Sequence, residues 1–206
     1  MIDPITLMAF VPASLALNLT PGADMMYALG QGLKSGRKSA VAASAGISMG
    51  GLIHVLLAGL GLGGVVAALP WAFEVIRWVG VAYLLYLAWG AFCGSAVGRE
   101  TPMVSTGQAF RKGLMVNLTN PKVILFVLAF IPQFVDPTAG PILPQFLVLG
   151  AIISFGGFFI NGAVGVFAGS AAQILTESKG AQIWLGRVSG TIFAGLAMRL
   201  AVMERA

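Results

Sequence analysis

In a chain of 206 residues, 58 % are hydrophobic and 9 % charged, against about 25 % charged in a soluble protein, so a water-facing surface of ordinary polarity cannot be built. The net charge of +5 does not point to nucleic acid, because the cations sort by loop as membrane-protein cations do. Cys93 is the only cysteine, which excludes an internal disulfide and a cysteine-based metal site.

The opening MIDPITLMAFVPASLALNL has no basic residue ahead of its apolar stretch, unlike a secretory signal, and reads as a retained first helix. That first apolar run covers about residues 5–29 and contains NLTPGAD; Lys34, Arg37 and Lys38 follow it. The second, about 41–68, carries Ser48, Gly50, Gly51, His54, Gly59 and Gly63. The third, about 71–93, begins with Trp71, Glu74, Arg77 and Trp78, which suit an interfacial anchor. Arg99, Arg111 and Lys112 precede the fourth run, about 113–135, which contains NLTNPK. The link PQFVDPTAGP, with an acid and no base, leads to about 142–172; Lys179 and Arg187 are assigned to the connection between this run and the last, about 184–203.

Each run is long enough to cross roughly 30 Å of hydrocarbon as a helix of about 20 residues. Stretches such as VAYLLYLAWGAF lack the alternation of barrel strands. The expected fold is therefore an all-α integral membrane protein with six transmembrane helices, one domain over residues 1–206 with no room for a soluble one. Eight cations, Lys34 to Arg187, fall on one side, against Arg77, Arg199 and Arg205 on the other. The positive-inside rule puts the eight in the cytoplasm and both termini outside.

The two halves repeat. NLTPGAD at residue 18 returns as NLTNPK at 117; Ser48, Gly50, Gly51, Gly59 and Gly63 match Ser154, Gly156, Gly157, Gly165 and Gly169 at one offset of 106, as do Trp78 and Gly80 with Trp184 and Gly186. Repeat 1 covers about 1–95 and repeat 2 about 107–206. Three helices per repeat is an odd number, so the second copy enters the membrane inverted, an arrangement characteristic of secondary transporters.

Proline inside a helix removes a backbone hydrogen bond, and in lipid the freed group must be satisfied by protein or water. Thr20-Pro21 and Asn120-Pro121 each place a capping side chain before a proline, which predicts the start of a helix. Helices 1 and 4 are thus expected to break at Pro21 and Pro121, and the new N-terminal ends suit an anion such as a carboxylate. Asp24 and Lys122, both inside their spans, either form a structural ion pair or face a transport pathway. With the helix ends, an acid close by would hold a zwitterion by carboxylate and ammonium. His54, the sole histidine, is either a packing residue or a proton carrier. The four-residue glycine spacings Gly46/Gly50, Gly165/Gly169 and Gly186/Gly190 allow close helix approach, within one chain or between two in a homodimer.

NLTPGAD with GLKSGRKSAVAASAGISMGG, and KGLMVNLTNPKVILFVLAFIPQFV, resemble the LysE/RhtB family of bacterial amino-acid exporters over essentially the whole chain. Thr20, Pro21, Gly22 and Asp24 match its Thr-Pro-Gly-Pro-Asp motif, with Ala23 in place of the second proline; Asn117, Asn120, Pro121 and Lys122 match the second motif. The resemblance implies an inner-membrane translocator that exports amino acids or close derivatives, driven by the proton gradient, with no cofactor or metal. The breaks and the resemblance together mark Asn18, Thr20, Pro21, Gly22, Asp24, Asn117, Asn120, Pro121 and Lys122 as candidate substrate-binding or coupling residues. The alternatives are a passive channel or ion carrier, a structural membrane subunit, and an intramembrane enzyme, for which a second histidine and a nucleophile–base pair are missing.

Overall fold

Asp3 accepts hydrogen bonds from the N–H groups of Ile5 and Thr6, and Pro4 occupies the first turn, so the first helix starts where cap and proline together dictate. The computed structural model describes residues 2–68, 70–93, 103–168 and 178–202, and its regular structure there is entirely helical. In chain order these helices are α1 (Pro4–Leu19), α2 (Ala23–Ser35), α3 (Arg37–Ala68), α4 (Pro70–Cys93), α5 (Thr106–Leu118), α6 (Pro121–Ala129), α7 (Ile142–Val166) and α8 (Lys179–Val202). Short 3₁₀ turns at Ile131–Phe134 and Pro137–Ala139 link α6 to α7. Gly36, at φ 85°, turns α2 into α3 in a conformation that L side chains rarely adopt. Ser105 and Gln108 form a reciprocal capping box that starts α5.

The breaks fall where the sequence places them. α1 and α2 meet at 53°, and α5 meets α6 with its following turn at 54°. α3 over Arg37–Gly61 and α7 over Ile142–Val166 are each long and apolar enough to cross a membrane, and each bent pair passes the same test as a unit. Among the described residues that makes two spans, or four if each bent pair is one, by length and composition. α4 and α8 occupy the positions of the third and sixth expected runs. α4 contains the apolar stretch Arg77–Cys93; α8 carries Lys179 and Arg187 in its first half. Gly169, Arg99 and Arg205, used in the repeat and charge arguments, lie outside the described residues.

Packing follows the small residues, which let helix backbones approach. A β-carbon built on Gly46 would collide with the Phe110 carbonyl, and one on Gly113 would lie 3.2 Å from Ala43 Cα, so α3 and α5 lie backbone to backbone. Between α3 and α7, a β-carbon on Gly59 would stand 3.0 Å from Phe146 Cβ, one on Gly51 3.0 Å from Ser154 Oγ, and one on Gly165 2.6 Å from Ala40 Cβ. As residue numbers rise along α3, those of the α7 partners fall, so the two helices cross antiparallel. Phe10, Phe126, Phe130 and Phe134 form an aromatic cluster with ring centroids 4.5 to 5.8 Å apart, tying α1 to α6 beside the breaks.

Candidate functional site

Proline decides the chemistry of both breaks. Pro21 has no N–H to give the carbonyl of Leu17 four residues earlier, and Lys122 supplies the missing donor: its Nζ lies 2.9 Å from Leu17 O and 2.9 Å from Thr20 O. A cation from α6 therefore closes the C-terminal end of α1, where the helix dipole favours positive charge. Thr20 turns back and donates its hydroxyl to Ala16 O. The expectation that Thr20-Pro21 starts the second half-helix is corrected here. Thr20 is the C-cap of α1, α2 begins at Ala23, and its N-cap, Gly22, makes no side-chain capping bond. The threonine hydroxyl is spent on its own preceding turn, a competing bond open to Ser and Thr.

The second break follows the expected pattern. Asn120 is the N-cap of α6, its Oδ1 accepting from the Lys122 N–H at 3.0 Å, with Pro121 in the first turn. Pro121 likewise leaves the carbonyl four residues before it, that of Asn117, without a helical partner. That carbonyl is met by the Asn120 N–H at 2.9 Å and by His54 Nε2 at 3.3 Å. A carbonyl only accepts, so Nε2 donates in this contact. At each break a nitrogen from the opposite half of the chain thus serves the carbonyl that proline orphans.

Asp24 sits in the first turn of α2 and is 8 % exposed. Asn117 Nδ2 donates to its Oδ2 at 2.8 Å, so Asn117 joins His54 through its backbone and Asp24 through its side chain. Asp24 and Lys122 are not within salt-bridge distance of each other; among the described residues it is Arg77 and Glu74 that pair, at 2.8 Å. The two side chains have separate hydrogen-bond partners, although their opposite charges still act on each other across the site. A β-carbon on Gly22 would lie 3.3 Å from Lys122 Nζ, so the lysine ammonium packs closely against this glycine.

Asn18, Thr20 and Asp24 from the first broken helix, Asn117 and Lys122 from the second, Ser48 and Gly51 from α3, and Ser154, Gly157 and Asn161 from α7 line one cavity. His54 is not among its lining residues; its contact with the Asn117 carbonyl connects it to one that is. Asn18 donates to Ile153 O at 3.0 Å. Four buried oxygens around the cavity, Asp24 Oδ1, Ser48 Oγ, Asn117 Oδ1 and Ser154 Oγ, have no hydrogen-bond partner among the described residues. Room for the centres of water-sized molecules is about 30 Å³, two or three waters by that measure, so an amino acid enters only if the walls part. Among the described residues, no three His, Cys, Asp or Glu side chains stand together as metal ligands.

The site gathers the sequence-marked residues, with Pro21, Gly22, Asn120 and Pro121 shaping its two breaks. Three it uses were not marked: Ser48, Ser154 and Asn161. Ser48 and Ser154 stand at the common offset of 106, and their polarity within apolar spans was the available signal.

The family of LysE type translocators matches residues 15–204. The chain belongs to that family. It is 32 % identical over 207 residues to an uncharacterized membrane protein of Vibrio cholerae serotype O1, covering 96 % of this chain and 97 % of that one. It is 37 % identical over 145 residues to the homoserine/homoserine lactone efflux proteins of Salmonella typhimurium and Salmonella typhi, covering 69 % of this chain and 70 % of each of theirs. No solved structure matches the chain.

Proposed function

We propose that this membrane translocator exports small polar amino acids or their close derivatives, homoserine-like compounds among them, in exchange for protons. The observation that carries the proposal is the set of unpartnered buried oxygens facing one cavity between two broken helices, with the Lys122 ammonium beside them. Carboxylate and hydroxyl oxygens suit a substrate ammonium. Lys122 and the N-terminal end of α2 suit a substrate carboxylate. The names of the Salmonella relatives favour the same chemistry.

In this account residues 1–206 form one domain of six spans, two inverted repeats of about 1–95 and 107–206. Reciprocal contacts support it: Gly59 against Phe146 becomes Gly165 against Ala40 when the repeats are exchanged. Asn117 against Gly50 likewise becomes Asn18 against Gly156. The cavity then lies where the repeats meet, the usual place for a transporter's substrate. The basic loops face the cytoplasm of a bacterial inner membrane and both termini face outward.

Exchange needs one group that holds either substrate or proton. Ionised Asp24 takes the substrate ammonium from the cytoplasm; a proton arriving from outside neutralises the carboxylate and releases it. Protonated Asp24 then returns. Asn117 holds the carboxylate in place, and His54 at the Asn117 carbonyl is the second proton-handling group. A passive channel would need neither exchange nor closed walls. The test is a panel of amino acids, homoserine and its lactone supplied to cells with and without the protein, read as extracellular release and growth inhibition. Release confined to cells carrying the protein is expected; equal release from both sets contradicts the proposal.

A further inference from the structure

Two matching stripes face the cavity. Ser48, Gly51 and Val55 on α3 and Ser154, Gly157 and Asn161 on α7 are spaced i, i+3, i+7, each residue 106 from its counterpart, so each set shares one helix face. The first two positions of each stripe line the cavity. The third positions differ. Val55 is fully buried and so tight against Gly150 that a β-carbon there would overlap its methyl groups. Asn161 is 4 % exposed and lines the cavity, and among the described residues its side-chain amide has no hydrogen-bond partner.

That amide is out of keeping with its neighbours. Asn18 bonds to Ile153 O, Asn117 to Asp24, and Gln145 to the carbonyls of Asp136 and Gly140. The Asn161 amide opens on the cavity instead of being sealed in protein, so whatever occupies the cavity, water or substrate, is its partner, and a substrate that displaces the water must replace its hydrogen bonds. An amide offers both a donor and an acceptor. Ser154, two turns away on the same face, adds an unpartnered hydroxyl.

We infer that Asn161 is the specificity-determining residue of this translocator: its amide hydrogen-bonds the polar end of the transported side chain, while Asp24 and Lys122 hold the amino and carboxyl groups. The inference rests on the export proposal above. It explains why one repeat carries Asn where the other carries a packed Val. A site with an amide at this point discriminates against a substrate of equal length whose polar group is replaced by a methyl, because the amide would remain unpaired.

Homoserine and norvaline are such a pair, differing in a terminal hydroxyl against a methyl. Uptake of each is measured in proteoliposomes carrying wild type, Asn161→Val, which installs the residue of the other repeat, or Asn161→Ser, which is smaller but still donates and accepts. Wild type is expected to favour homoserine, Asn161→Val to lower the homoserine-to-norvaline ratio at least ten-fold, and Asn161→Ser to keep most of it. If Asn161→Val does not insert, Asn161→Ala takes its place with the same expected fall in ratio. Rates for both compounds reduced by one common factor would mean that Asn161 only packs, which overturns this inference and leaves the export proposal standing. A wild type that moves neither compound overturns both.

Discussion

Replacing Lys122 with Met removes one hydrogen bond to the Leu17 carbonyl that Pro21 orphans and a second to the Thr20 carbonyl. Hydrogen bonds to a charged group contribute about 1.5–3 kcal/mol each, so losing the two should cost about 3–6 kcal/mol before any water enters. If the lysine instead served as the partner of Asp24 in a buried ion pair, Lys122→Met would leave one uncompensated charge, and Asp24→Asn would relieve it. The structure gives the two residues different partners, so the double variant should stay at least about 3 kcal/mol below wild type, within the range set by the lost bonds. Thermal or denaturant unfolding of the purified protein in one detergent, at matched lipid content, measures this for wild type, both single variants and the double variant. Recovery of the double variant to wild-type stability would refute the assignment of Lys122 as the cap of α1.

Asn117→Leu removes the donor that Asp24 Oδ2 accepts from but keeps the backbone carbonyl that His54 meets; losing about 1.5–3 kcal/mol should cut export by about ten- to a hundred-fold. Unchanged export at equal membrane abundance would count against it. Gly50→Ala would bring a methyl within 2.7 Å of Asn117 Oδ1, while Gly156→Ala would meet Asn18 Nδ2 at 3.0 Å. Gly50→Ala should therefore disturb transport more, which parallel efflux assays of the two variants would show or deny. Cysteines at Ser35 and Thr138, in a chain with Cys93 replaced, should label from outside at Thr138 only with an impermeant thiol reagent; labelling at Ser35 alone would reverse the proposed orientation.

The helix breaks were legible because proline leaves a local trace: both bends fall at the two proline motifs. Which residue caps which half was legible only at Asn120, whose side chain bonds two residues ahead. Thr20 has two acceptable uses, starting a helix or bonding back to its own last turn, and sequence does not choose between them. The hydrogen bonds of Lys122 were not legible for a different reason. Its partners, Leu17 and Thr20, are more than a hundred positions away, and opposite charges within spans suggest each other before they suggest carbonyls. Asn161 is hidden by its register, because it lies one residue past Ile160, the position that matches the sole histidine, His54, at the offset of 106. Only the cavity, formed by helices from both halves, gives it a role.

The central claim is that Asp24 and the cavity between the broken helices couple export to proton movement. Inside-out membrane vesicles, in which export becomes uptake, allow the direct measurement: homoserine accumulation under an imposed proton gradient, with and without an uncoupler, for wild type and Asp24→Asn at equal abundance. The account predicts accumulation by wild type that the uncoupler abolishes, and none by Asp24→Asn. Equilibration without accumulation, unaffected by the uncoupler and equal in Asp24→Asn, would make the protein a passive pathway and contradict the account.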